Sequence, residues 1–91
     1  MRFEYDPKKS QSNKAKHGLD FEEAKDLWKD MDRLEAPVSS PGEQRFIVIG
    51  SIRGTSLTAI ITYRGGVTRI ISVRRSRAEE IEYYETTKNN G

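Results

Sequence analysis

Three stretches in the second half of the chain, Arg45 to Ile52, Ser56 to Arg64 and Val67 to Arg75, are rich in Ile, Val, Thr and Tyr and are separated only by Arg53-Gly54-Thr55 and Gly65-Gly66. β-Branched and aromatic residues suit a pleated, half-buried surface, and connections this short join antiparallel neighbours. An antiparallel meander is therefore predicted. Leu34, Ala36 and Val38 alternate at period two before Ser39-Ser40-Pro41-Gly42 breaks the pattern, which adds a fourth strand upstream. A Gly-Gly loop fits the primed turns that match strand twist, and a two-residue loop pairs Arg64 with Val67 and Ile61 with Ile70. In that register Leu57, Ala59, Ile61, Tyr63, Ile70, Ser72 and Arg74 share one face, with Ile60, Thr62, Arg64, Arg69, Ile71 and Val73 on the other. Isoleucines on both faces predict helices on one side and, on the other, a binding groove or partial cover by a partner.

Arg2 to Tyr5 reads as a short first strand ended by Asp6-Pro7, because proline disfavours helix in the residue before it and suits a first helical position. The polar, lysine-rich stretch to His17 is predicted as a solvent-facing helix with Ala15 as its main apolar contact. Gly18 can end it in the left-handed conformation. Asp20 and Glu23 have capping-box spacing, so a second helix begins at Phe21, with Phe21, Ala24, Leu27, Trp28 and Met31 forming one buried stripe. Ala78 to Thr87 reads as a last helix with acidic early turns, and residues 88–91 as a frayed tail. At 91 residues the chain is long enough for one domain, residues 1–91, built around a single core. The order strand, helix, helix, four strands, helix is of the α+β class.

The absence of cysteine removes disulfides and thiolate metal sites, and the composition fits a reducing cytoplasm. There is no run of about 18 apolar residues to span a bilayer, and the N-terminus lacks the apolar core of a signal peptide, so no membrane role is expected. The net charge of +2 conceals a block pattern. Arg2, Lys8, Lys9, Lys14 and Lys16 face only Glu4 and Asp6 in the first block, and from Pro37 to Ala78 seven arginines face Glu43 alone. If the basic blocks meet in space, one face can hold a polyanion. Charges interspersed for solubility are the alternative.

Cleaving RNA without a metal requires a group that deprotonates the 2′-hydroxyl, a proton donor for the leaving oxygen, and fixed cations for the charged phosphorane. One histidine and no cysteine make a metal site a poor fit, and neither a metal nor another cofactor is expected. His17 is the one side chain of a type that exchanges protons near neutral pH; the alternative, beside Gly18, is a helix cap or a satisfied structural residue. Lys16 can orient a phosphate. In Ser72-Val73-Arg74-Arg75-Ser76-Arg77, guanidinium groups stand at the exit of a rigid strand and can fork onto phosphate; the alternative is a basic edge that deters strand aggregation. Arg64 lies at the far end of the neighbouring strand. Of Tyr83 and Tyr84, one should pack inward and the other stack on a base or join proton transfer.

Phe3-Glu4-Tyr5-Asp6, Asn13 with Lys16-His17-Gly18, Phe21-Glu22-Glu23-Ala24, Glu43 with Arg45-Phe46 and Gly50, Tyr63-Arg64-Gly65, and Arg69-Ile70-Ile71-Ser72 with Arg74-Arg75 together resemble, in order, the BrnT family of bacterial type II toxins. The resemblance implies a RelE-like fold: a four-stranded meander plus a short N-terminal strand, packed with two N-terminal helices and one C-terminal helix. It also implies a cytoplasmic ribonuclease that cuts RNA internally without a metal and arrests translation, is neutralised by a cognate BrnA-like antitoxin, and meets DNA only through that antitoxin. Carried onto this sequence, His17 is general base or acid, Arg64 and Arg74 stabilise phosphate, Lys16 and Arg75 position RNA, and Tyr84 participates secondarily. Glu79 and Glu82 stand where basic residues often follow the double arginine, which points to the last helix as an antitoxin-facing surface. From another class, a non-catalytic nucleic-acid- or partner-binding module in an operon-repressing complex accounts for the same basic blocks.

Overall fold

The computed structural model describes residues 1–90. In chain order the elements are β1 (Arg2–Glu4), α1 (Pro7–His17), α2 (Phe21–Ala24), a 3₁₀ helix (Lys25–Lys29), β2 (Leu34–Val38), β3 (Arg45–Ile52), β4 (Thr55–Arg64), β5 (Val67–Arg75) and α3 (Ala78–Asn90). β2 to β5 form the expected antiparallel meander, and β1 adds to β5 in parallel, giving the order β1-β5-β4-β3-β2. This is the RelE-like α+β arrangement. The core lies between one face of this sheet and the α2 segment, where Phe21, Ala24 and Leu27 pack on Val48, Ala59, Ile61, Ile70 and Val73. Removing each of the larger side chains from water is worth roughly 1.5–3 kcal/mol. Gly50 permits the close approach, since a Cβ there would stand 3.0 Å from the Leu27 side chain and 3.3 Å from the Asp30 carboxylate.

The β4–β5 hairpin begins in the expected register, with Arg64 opposite Val67 and Ile61 opposite Ile70, but the next pair is Ile60 with Ser72. Ile71 is an extra residue on β5. Because side chains alternate at period two, this bulge moves everything beyond it to the opposite face. Val73 and Arg75 therefore join Ala59 and Leu57 on the core side, while Ser72 and Arg74 turn to the other side beside Ile60 and Thr58. The face assignment drawn from unbroken pairing is thus reversed for Ser72, Val73 and Arg74.

Three helical expectations are corrected. α1 buries Ser10 and Asn13 whereas Ala15 is exposed, so polar rather than apolar contacts dock it. The second helix is four residues long before it tightens to 3₁₀, and the apolar stripe stops at Trp28; Met31 is 91% exposed in the following turn. α3 is helical through Asn90 rather than ending at Thr87, and Gly91 lies outside the described residues. α3 lies across the face of the sheet away from α1, where Glu80 meets Thr58 and Arg74, so helices pack on both faces and the chain's own last helix takes the side that the sequence reading left to a groove or a partner. The β3–β4 connection is also shorter than expected: Ile52 pairs with Thr55, leaving a two-residue loop of Arg53 and Gly54.

Candidate active site

The histidine is placed by the way α1 starts, docks and stops. Asp6 caps the first turn by accepting from the Lys8 amide, with Pro7 in the first helical position. At the other end Gly18, at φ 77°, takes the left-handed conformation and its N–H donates to the Lys14 carbonyl. Lys14, Lys16 and His17 occupy the last turn, where the helix dipole favours cations. Between the ends, Asn13 works as a clamp: its Nδ2 donates to the Leu19 carbonyl at 2.7 Å and its Oδ1 accepts from the Val73 amide at 3.2 Å. Ser10 Oγ accepts from the Phe21 amide at 2.9 Å. β1 pairs only with Val67 to Arg69, so the Val73 amide lies on an edge that Asn13 completes. α1 is thereby fixed against the C-terminal half of β5.

The consequence is a cleft of about 270 Å³ lined by His17, Leu19, Arg53, Thr55 and Arg75. Against it, on the other side of His17, lies a second hollow of about 220 Å³ that includes Lys9, Ser12, Lys16 and Ser72. His17 thus stands between two concave surfaces bearing Lys9, Lys16, Arg53 and Arg75. Glu23, on the rim of the first cleft, accepts from the Asp20 amide at 3.0 Å and from Lys14 Nζ at 2.7 Å. These two bonds hold its carboxyl below the usual range, so it is an ionised, already occupied acceptor rather than an acid. Among the described residues, no three His, Asp or Glu side chains group in a way that would hold a metal ion.

The other sequence-derived candidates are placed elsewhere and already have partners. Arg74, turned to the α3 face by the bulge, forks onto Glu80 at 2.8 and 2.9 Å. Glu80 also accepts from Thr58 Oγ1 at 3.0 Å and from the Arg77 amide at 2.7 Å, the latter giving a partner to a backbone N–H just before the start of α3. The Arg74 fork, reinforced by these donors, pushes its carboxyl down to about 2. Arg64, at the Gly-Gly end of the hairpin, pairs with Glu43 at 3.2 Å. Tyr84 is buried and donates to Asp30 Oδ2 at 2.6 Å; burial and this bond together push the phenol well above its usual value. Of the six candidates, the structure brings together Lys16, His17 and Arg75. Arg53, which lines the same cleft, is not among the sequence-derived candidates. A signal was present in the Arg53-Gly54 dipeptide between two β runs, which has the length and the glycine of a hairpin turn.

A comparison with curated proteins found no match. The model of a ribonuclease toxin, BrnT, of type II toxin-antitoxin systems matches residues 5–80. That span takes in α1, the whole sheet from β2 onward and the start of α3, and so every element that builds the cleft. The chain belongs to the BrnT family of ribonuclease toxins.

Proposed function

We propose that this toxin cuts single-stranded RNA internally by a metal-independent reaction centred on His17, with Arg75 and Lys16 as its phosphate-binding cations. What supports this is that His17 and Arg75, far apart in the chain, line one open cleft while Lys16 borders the adjoining hollow. An RNA strand lying across His17 would have cations on both sides. The imidazole removes the proton of a 2′-hydroxyl, the freed 2′ oxygen attacks the adjacent phosphorus, and the bond from phosphorus to the 5′ oxygen breaks. The departing oxygen takes a proton from the Lys16 ammonium or from water. Arg75 stabilises the charge that builds on the non-bridging oxygens of the phosphorane, a task suited to a guanidinium held at the end of a strand.

The cellular role that follows is translational arrest in the cytoplasm, released by a BrnA-like antitoxin. α3 bears exposed Ile81 and Tyr83, on the opposite side of the sheet from the cleft, and is the surface proposed for that partner. DNA contact, on this view, is made through the antitoxin. The test is to incubate the purified toxin with end-labelled single-stranded RNA in excess EDTA and identify the new ends. The expected products carry a 2′,3′-cyclic phosphate and a 5′-hydroxyl. Cleavage that needs an added divalent cation, or that leaves 3′-hydroxyl ends, would overturn the mechanism; no cleavage at all would favour the non-catalytic module.

A further inference from the structure

We infer that Arg53 is a further RNA-contacting residue, a phosphate clamp kept in an unfavourable turn position because it faces the cleft of His17 and Arg75. This rests on the function proposed above. Arg53 and Gly54 are the two loop residues between β3 and β4, with φ of 48° and 81°, positive at both positions as in a type I′ turn. Asn, Asp and Gly are favoured at the first of these positions, because a Cβ-bearing residue is strained there. Within the same sheet the equivalent position of the β4–β5 loop is Gly65, at φ 55°. Arg53 is the only described non-glycine residue with positive φ.

Local contacts do not explain the arginine. Its one ion pair is with Asp26 at 3.8 Å, and its side chain is 77% exposed. Asp26 lies closer to Lys29, at 3.2 Å. What the position does provide is a place on the wall of the cleft, so that His17 from the end of α1, Arg53 from the β3–β4 turn and Arg75 from the end of β5 surround one hollow. A phosphodiester strand passing His17 would meet Arg53 at a phosphate next to the one being cut. A loop arginine there holds the strand rather than the reacting atoms, and backbone strain at such a turn is the kind retained at binding sites.

The experiment measures binding of a 2′-O-methylated single-stranded RNA, which lacks the attacking hydroxyl, across a salt series. Arg53→Asn, with a residue favoured in this turn, is expected to bind about tenfold more weakly at low salt. It should flatten the plot of log K against log salt by about 0.7, the loss of one phosphate contact on a single strand. Its Tm should stay level or rise by about 4 °C or more. Arg53→Lys should keep the slope, and Arg53→Gly should repeat the Asn result should that variant fold poorly. Unchanged affinity and slope in Arg53→Asn and Arg53→Gly would overturn the inference. His17→Ala on unmodified RNA separates the two claims: if it stops cleavage while the Arg53 variants bind normally, only Arg53 is wrong, and if it cuts at the wild-type rate the proposed function has failed first.

Discussion

Arg74 and Arg75 are adjacent in sequence but lie on opposite sides of the sheet and have opposite surroundings. Arg74 is mostly buried and bound through both terminal nitrogens to Glu80, whereas Arg75 is exposed at the cleft. Arg74→Ala strips a mostly buried carboxylate of its main partner and should lower unfolding free energy by roughly 2 kcal/mol, read from denaturant midpoints. Arg75→Ala should leave those midpoints nearly unchanged. Glu80 adds a pH signature. Its folded-state value near 2 lies below the usual 4.5, so its stabilisation is complete above about pH 4.5 and is lost as the pH falls towards 2. The shift corresponds to roughly 3 kcal/mol, and Glu80→Gln should flatten the acid limb of a stability–pH profile across that window. A profile equally steep in Glu80→Gln would show that another carboxylate governs acid unfolding.

At the level of elements, strands were legible and faces were not. β-Branched runs and turn residues gave β3 and β5 their full extents, because sheet formers and glycine act locally. The bulge at Ile71 depends on which side chains find the core. Its trace in the sequence is small: the two β5 residues buried almost completely in the hydrophobic core, Ile70 and Val73, are three apart where unbroken alternation would make them two apart. α1 was misread for a different reason. Apolar periodicity is blind to a helix docked through Ser10 and Asn13, whose partners are backbone groups distant in sequence. Asn13→Ala would leave the Val73 N–H and the Leu19 carbonyl without their side-chain partner and should cost roughly 2 kcal/mol. It should also slow RNA cleavage well below its melting temperature, since His17 loses its anchor. Cleavage at the wild-type rate by a measurably destabilised Asn13→Ala protein would separate helix docking from the site.

For the whole molecule, the sheet acts as a partition. One side carries α1, the core and the cationic cleft; the other carries α3, with Ile81 39% and Tyr83 54% exposed. A partner on α3 therefore need not compete directly with RNA for the same atoms. The charge blocks raised a basic face as one of two alternatives, and the fold brings His17 at the end of α1 and Arg75 at the end of β5 to one cleft. Arg64 stands at the far end of the hairpin, where the register reading put it, so its grouping with the site rested on the family resemblance alone, and Arg74 lies behind the sheet because the bulge at Ile71 is not visible in strand periodicity. The most direct measurement is the rate of single-stranded RNA cleavage in EDTA by His17→Ala, Arg75→Ala and Arg64→Ala, each verified as folded. The first two should be slower by about a hundredfold or more, and Arg64→Ala should cut at nearly the wild-type rate. Loss of cleavage in Arg64→Ala, with His17→Ala and Arg75→Ala fully active, would place the chemistry at the other end of the hairpin.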